Sequence, residues 1–198
     1  MGHRVQAYQS YSTRSKFLTN RTAVVCKVDN NTDEVELIGI DNNASDNIVL
    51  KIPSFVTKIG YEPLKELSGR IKVIYTGEDI SDMSGLFKNA INIESIDLRE
   101  FNTSRVTKMN RMFFNCKGLV SLNMLSLDIS NVTEMNEILA ECINLERVYM
   151  PDSSAKKMRS MEDLFRDCRK LECVTSEIYD IPKNCIIDEH TKKLIHIK

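Results

Sequence analysis

Apolar residues recur at one fixed interval between positions 79 and 175 of this chain. Ordinary amphipathic helices and strands have periods near 3.6 and 2 residues, and a period of roughly 20 to 50 residues is typical of a solenoid with one coil per repeat. Here the interval is 26 residues, so the pattern predicts a solenoid. The apolar series are Met83, Met109, Met135 and Met161; Phe87, Phe113, Leu139 and Phe165; Ala90, Cys116, Cys142 and Cys168; Ile93, Leu119, Leu145 and Leu171; and Ile96, Leu122, Val148 and Val174.

Each repeat has two halves with different spacing. In the first half Val106, Met109, Met112, Phe113 and Cys116 follow helical spacing, which predicts one buried helix face about three turns long. The second half carries the phrase L-x-x-L-x-L, whose last apolar positions alternate as in a half-buried strand. Strand plus helix at this period matches the leucine-rich repeat unit. We therefore predict an α/β fold, a leucine-rich-repeat solenoid of about five coils with a parallel sheet on the concave face and helices on the convex face.

The regions on either side of the repeats predict separate segments. The N-terminus contains basic residues and no acidic ones up to residue 21. Residues 22–28 and 35–40 alternate and predict strands, and the tail predicts two more around CIID and LIHIK. Because the ends of a solenoid need atypical capping units, we expect β-rich caps. The predicted division is a basic N-terminal segment (1–21), an N-terminal β cap (22–55), the solenoid (56–175) and a C-terminal cap (176–198).

Composition and charge exclude few classes of protein. The 198 residues are 42% hydrophobic and 28% charged, as in ordinary soluble domains. A net charge of −1 makes nucleic acid an unexpected partner and gives no reason to expect a membrane. The basic N-terminal segment leaves nucleic-acid binding open as an alternative with strongly salt-dependent affinity. No apolar run is long enough to form a membrane helix, and no secretory signal is evident. We therefore predict a cytoplasmic protein, or an extracellular one if a leader has been removed.

Candidate chemistry is sparse. The chain has six cysteines, and three of them occupy the series position that Ala90 holds in the first repeat. That exchange predicts small buried residues and reduced thiols. Zinc needs closely clustered ligands, so we predict no metal and no cofactor. The three histidines lie outside the repeats, and no nucleophile, base or phosphate loop is present. We therefore predict that the protein is not an enzyme.

The amino-acid sequences of individual repeats allow a more specific comparison. Residues 101–119 read FNTSRVTKMNRMFFNCKGL, and residues 127–145 read LDISNVTEMNEILAECINL. Both resemble the phrase F-D-T-S-x-V-T-x-M-x-x-M-F-x-x-C-x-x-L of the BspA-like leucine-rich repeat family. IPSFVTKIGYEPLKEL resembles the family's other repeat type, so that the resemblance covers about residues 50–175. It implies a leucine-rich repeat fold and, from well-known members, a secreted or cell-surface adhesin; the repeat near position 155 departs from the phrase.

The predicted function follows from the concave face of such a solenoid. Exposed strand positions there include arginine and tyrosine, which are common hot-spot residues. We predict a non-enzymatic protein–protein interaction module, an intracellular adaptor or small inhibitor, with a phage or mobile-element protein acting on a host protein as one version. The alternative is a secreted or cell-surface adhesin domain of the BspA-like type. The partner's identity and self-association stay open, as does binding by the convex side or the caps. The predicted binding residues are Ser95, Asp97, Arg99, Ser121, Asn123, Leu125, Arg147, Tyr149 and Thr175.

Overall fold

The computed structural model describes residues 14–19, 22–29, 31–42, 47–151, 155–175, 185–187 and 194–196. These residues contain no helix, and the repeats form a β-solenoid of about four coils. The predicted α/β leucine-rich-repeat fold with about five coils and convex helices is therefore wrong. The strands are β1 (Arg14–Thr19), β2 (Thr22–Asp29), β3 (Glu34–Asn42), β4 (Ile48–Lys51), β5 (Lys58–Ile59), β6 (Ser68–Tyr75), β7 (Asn92–Phe101), β8 (Ser121–Asn123), β9 (Arg147–Tyr149), β10 (Cys173–Thr175), β11 (Cys185–Ile187) and β12 (Leu194–His196).

Parallel strands stack along one side of the solenoid. β4, β6 and β7 form one sheet, and β8, β9 and β10 form another. Leu122 lies in register with Val148, which lies in register with Val174. In both β8 and β9 the middle residue is buried and its two neighbours are exposed. One face of these strands therefore packs on the core, and the other is available to solvent, as alternation requires.

The stretches predicted as helices are chains of tight turns, here called the turn segments (82–90, 108–116, 134–142 and 160–168). In the first three segments, alternate residues donate their backbone N–H groups to the next coil. Met109 donates to the Glu134 carbonyl and Phe113 to the Ile138 carbonyl, both at 2.9 Å. Residues between them donate within the coil, as Met112 does to the Met109 carbonyl at 3.3 Å. The buried backbone is thus hydrogen-bonded without a helix.

Left-handed residues explain why these segments are not helical. An α-helix of L-residues needs negative φ throughout, but each turn segment has two residues at positive φ, four positions apart. Arg111 (φ 55°) and Asn115 (φ 58°) are one such pair. The side chains at helical spacing are also buried in this turn geometry. The spacing therefore predicted the buried positions correctly and the backbone conformation wrongly. The pairs are Gly85 and Asn89, Arg111 and Asn115, Glu137 and Glu141, and Asp163 and Asp167.

The five apolar series lie in the core, together with buried residues of the strands before them. Every member is buried except Val174, which packs partly buried against the others. Phe87 stacks on Phe113 in the next coil, with ring centroids 5.2 Å apart and planes 3° from parallel. The prediction that the series are core positions is confirmed, and the sulfur-containing members pack as apolar side chains.

The strands predicted at 22–28, at 35–40 and around CIID and LIHIK are present as β2, β3, β11 and β12, whereas β1 was not predicted. β1, β2 and β3 are antiparallel, and β5 adds to β3 in parallel. Gly60 permits that last pairing, because a Cβ there would lie 2.7 Å from the Leu37 carbonyl oxygen. β11 and β12 form an antiparallel pair. Most of the proposed N-terminal segment and C-terminal cap lies outside the described residues, and the domain boundaries stay predictions. The described part contains no helix able to cross a membrane.

Candidate protein-interaction face

The structure places the predicted binding residues along the solvent-exposed side of the parallel strands, here called the strand face. β7 carries Ser95, Asp97 and Arg99, and all three are exposed or half-buried. Ser121 lies in register with Arg147, and Asn123 with Tyr149. Leu125 follows β8 by two residues and is exposed. Thr175 lies opposite Tyr149 on β10, and its side chain is outside the described part.

Asp97 and Arg99 form a forked ion pair at the end of β7. The Arg99 guanidinium donates from Nε to Asp97 Oδ1 at 2.9 Å and from Nη2 to Oδ2 at 2.7 Å. The backbone N–H of Arg99 also donates to Oδ1, at 3.1 Å. These hydrogen bonds from Arg99 lower the pKa of the Asp97 carboxyl to about 2, against the opposing effect of burial. Asp97 therefore acts as an acceptor that orients Arg99, rather than as a proton donor or base.

The other cations that β6 and β7 place on the strand face have carboxylate partners. Arg70 lies 4.0 Å from Glu94, and Lys72 lies 2.5 Å from Glu100. Arg147, on β9, makes no ion pair with any residue that the structure describes. Among the described residues, the charges along β6 and β7 are thus close to balance, and Arg147 on β9 is a cation without an ion-pair partner.

Exposed apolar side chains lie on β9 and at the two ends of β8, the strand paired with it. Leu125 and Tyr149 are 42% and 38% exposed, and both were predicted as binding residues. Val120 is 47% exposed and directly precedes β8, where its carbonyl accepts the Arg147 N–H at 3.3 Å. Val120 is not among the binding residues predicted from the sequence. Its exposure could have been inferred from the repeats, because Val120 occupies the position at which the other coils have Glu94, Glu146 and Glu172.

The turn segments present a different surface, built from ion pairs between coils. Glu137 binds both Arg111 and Arg166. The half-buried ring of Phe114 lies within 6.0 Å of the cationic groups of Lys88, Arg111 and Arg166. Because these cations are already matched to carboxylates on neighbouring coils, this surface stabilises the stack more than it offers free binding groups.

A buried ion pair joins the turn segments to the preceding loop. Lys88 Nζ lies 2.8 Å from Glu62 Oε1 and 4.9 Å from the centre of the Tyr61 ring. Burial raises the pKa of the Glu62 carboxyl, but hydrogen bonds, that from Lys88 first, outweigh it and lower the pKa to about 2. Glu62 is therefore charged at neutral pH and holds Lys88 in place.

The cysteine series consists of hydrogen-bond donors. Cys116 and Cys142 donate from Sγ to the carbonyls of Phe87 and Phe113 in the preceding coil, both at 3.1 Å. Cys168 does the same toward Leu139 at 3.0 Å. Burial raises the pKa of Cys116 and of Cys168 to about 12, so both thiols stay protonated and unreactive at neutral pH. Among the described residues, no group of three or more His, Cys, Asp or Glu side chains is arranged to hold a metal ion.

Fold and surface together define a solenoid repeat protein with a polar parallel-sheet face. Residues 67–179, more than half of the chain, match the family described as "Mycoplasma protein of unknown function, DUF285". The chain belongs to this family. Comparison with curated proteins and with solved structures gives no significant match.

Proposed function

We propose that the protein is a non-enzymatic protein–protein interaction module that binds its partner through the strand face. The observation that carries the proposal is that exposed Tyr149 and Leu125 share the strand face with Arg147, which has no ion-pair partner among the described residues. Tyrosine and arginine supply large contact area and directional hydrogen bonds, and they are over-represented among the residues that dominate binding energy. An apolar cluster with a polar rim on an otherwise charged surface is typical of an interaction site.

The scaffold under this face favours binding without rearrangement. β8, β9 and β10 are paired in register, and the middle residues of β8 and β9 are anchored in the core. Asp97 holds Arg99 in one orientation through two side-chain hydrogen bonds. Side chains that are already ordered lose less entropy on association, which raises affinity for a given contact area.

We also propose a relation to a known family and a cellular role. The phrases at 101–119 and 127–145 support a relation to BspA-like proteins, although the leucine-rich repeat geometry expected from that resemblance is not carried over. The three thiol hydrogen bonds exist only in the reduced state, which supports an intracellular adaptor or small inhibitor. The adhesin alternative is supported by the same resemblance, and disulfides in the native protein, detected by intact mass, would favour it.

Affinity capture with a matched pair of variants tests the proposed function. The wild type and the double variant Arg147→Glu, Tyr149→Ala are used to capture partners from a lysate of the source organism. We expect a partner that the wild type retains and the variant loses. The control is Arg169→Glu, Tyr61→Ala, which makes the same two changes at exposed positions outside the strand face. A partner lost by the control and kept by the strand-face variant would contradict the proposal.

A further inference from the structure

We propose that part of the strand face, the β8–β9 patch, binds a protein segment in which a carboxylate is flanked by apolar side chains. The inference rests on the proposed interaction function and specifies the chemistry of the partner. The β8–β9 patch consists of Val120, Ser121, Asn123, Leu125, Arg147 and Tyr149.

The carboxylate follows from the charge balance of the strand face. Three of its cations, Arg70, Lys72 and Arg99, are each matched by a carboxylate of this chain within 4.0 Å. Arg147 has no ion-pair partner among the described residues, although it is exposed in the same way. A guanidinium presents a planar fork of donors that fits a carboxylate in two-point geometry. A carboxylate of the bound protein therefore suits Arg147.

Neighbouring polar groups extend this recognition. Ser121 lies in register beside Arg147, and both side chains are exposed, so that a hydroxyl donor and the guanidinium lie one strand apart. Asn123 occupies the equivalent place beside Tyr149. One cation among neutral donors suits a single carboxylate. A nucleic acid would need a row of basic side chains along its phosphates, and β8 and β9 carry no other basic residue.

The apolar flanks follow from the exposed side chains on both sides of Arg147. Val120, Leu125 and Tyr149 are all more than a third exposed, and they surround a short stretch of two paired strands. An ion pair is stronger where neighbouring apolar groups exclude water. A partner with apolar side chains beside its acidic residue would cover these three side chains and shield the Arg147 ion pair.

Selection from a random dodecapeptide library tests the chemistry without assuming a partner. The library is first depleted on the Arg147→Glu, Tyr149→Ala variant and then selected on the wild type. We expect the retained peptides to be enriched in Asp or Glu next to Leu, Ile, Phe or Tyr. Their affinity should fall at least tenfold on Arg147→Glu and should weaken with added salt. Arg70→Glu reverses a charge on the same face outside the patch, and it should leave the affinity unchanged.

The outcomes separate this inference from the proposed function. Peptides that need Tyr149 but lack acidic residues, and that bind Arg147→Glu as well as wild type, would overturn the carboxylate inference and leave the interaction function standing. Basic peptides selected on Arg147→Glu alone would support the inference by charge reversal. If no peptide distinguishes the wild type from the double variant, and capture also finds no strand-face partner, both proposals fail. Enrichment of peptides that depend equally on Arg70 would also overturn the assignment to the patch.

Discussion

The buried thiols predict a steep loss of stability in mild alkali. In an unfolded chain a cysteine thiol has a pKa near 8.5, whereas burial raises the pKa to about 12 for Cys116 and Cys168 and well above the ordinary value for Cys142. Because the folded pKa is raised, the contribution of each thiol is fully present below the unfolded pKa. It is lost progressively as the pH rises from about 9 towards 12, where unfolded thiols ionise and folded ones do not.

The magnitude follows from proton linkage. In that window the folded state holds one more proton per buried thiol, so each contributes a slope of about −1.4 kcal/mol of unfolding free energy per pH unit. Three thiols in adjacent coils together give a slope of about −4 kcal/mol per unit. Urea unfolding under reducing conditions, at several pH values between about 7.5 and 10.5, measures this slope. The range extends on both sides of the pKa of an unfolded cysteine thiol.

Cys142→Ala is the matched comparison, because the first coil already has an alanine, Ala90, at the equivalent position of the series. At neutral pH this variant should be about 1 kcal/mol less stable, since the hydrogen bond to the Phe113 carbonyl is lost. Its alkaline slope should be shallower by about 1.4 kcal/mol per unit. Lysine and tyrosine titration contributes equally to both proteins and cancels in the difference. Equal slopes in the wild type and the variant would refute the assignment of Cys142 as a buried, protonated thiol.

Three further substitutions test the core, the coil-to-coil contact and the turn geometry by urea unfolding. Met135→Asp places an unpaired charge at a position that is 1% exposed and should destabilise the protein by several kcal/mol; unchanged stability would remove Met135 from the core. Gly118→Ala should be destabilising by about 1 to 3 kcal/mol, because a Cβ would lie 2.4 Å from the Ile93 carbonyl oxygen; a neutral result would contradict that approach. Asp163, at φ 52°, stands where the first coil has Gly85. Asp163→Gly should therefore be more stable than Asp163→Ala by about 1 kcal/mol, and the reverse order would argue against a left-handed turn.

The strand face was predictable in part. Alternation around Leu122 and Val148 indicated which neighbours are exposed, and those neighbours lie on the strand face as expected. Sequence could not show which cations are matched, because Glu94 and Glu100 reach Arg70 and Lys72 across coils, whereas no described carboxylate pairs with Arg147. That contrast is what turns a row of polar positions into a specific candidate site.

The sequence by itself determined the period of the solenoid and the composition of its core. Side chains repeated at a fixed interval must stack on one another, so the Met, Phe and Cys series are buried whatever the backbone does between them. Only the tertiary structure decided that the backbone turns instead of forming helices. The spacing of Met109, Phe113 and Cys116 suits a helix face and a series of tight turns equally. The choice depends on N–H groups that find acceptors in the next coil, as Met109 does at Glu134, and such long-range bonds leave no local trace in sequence.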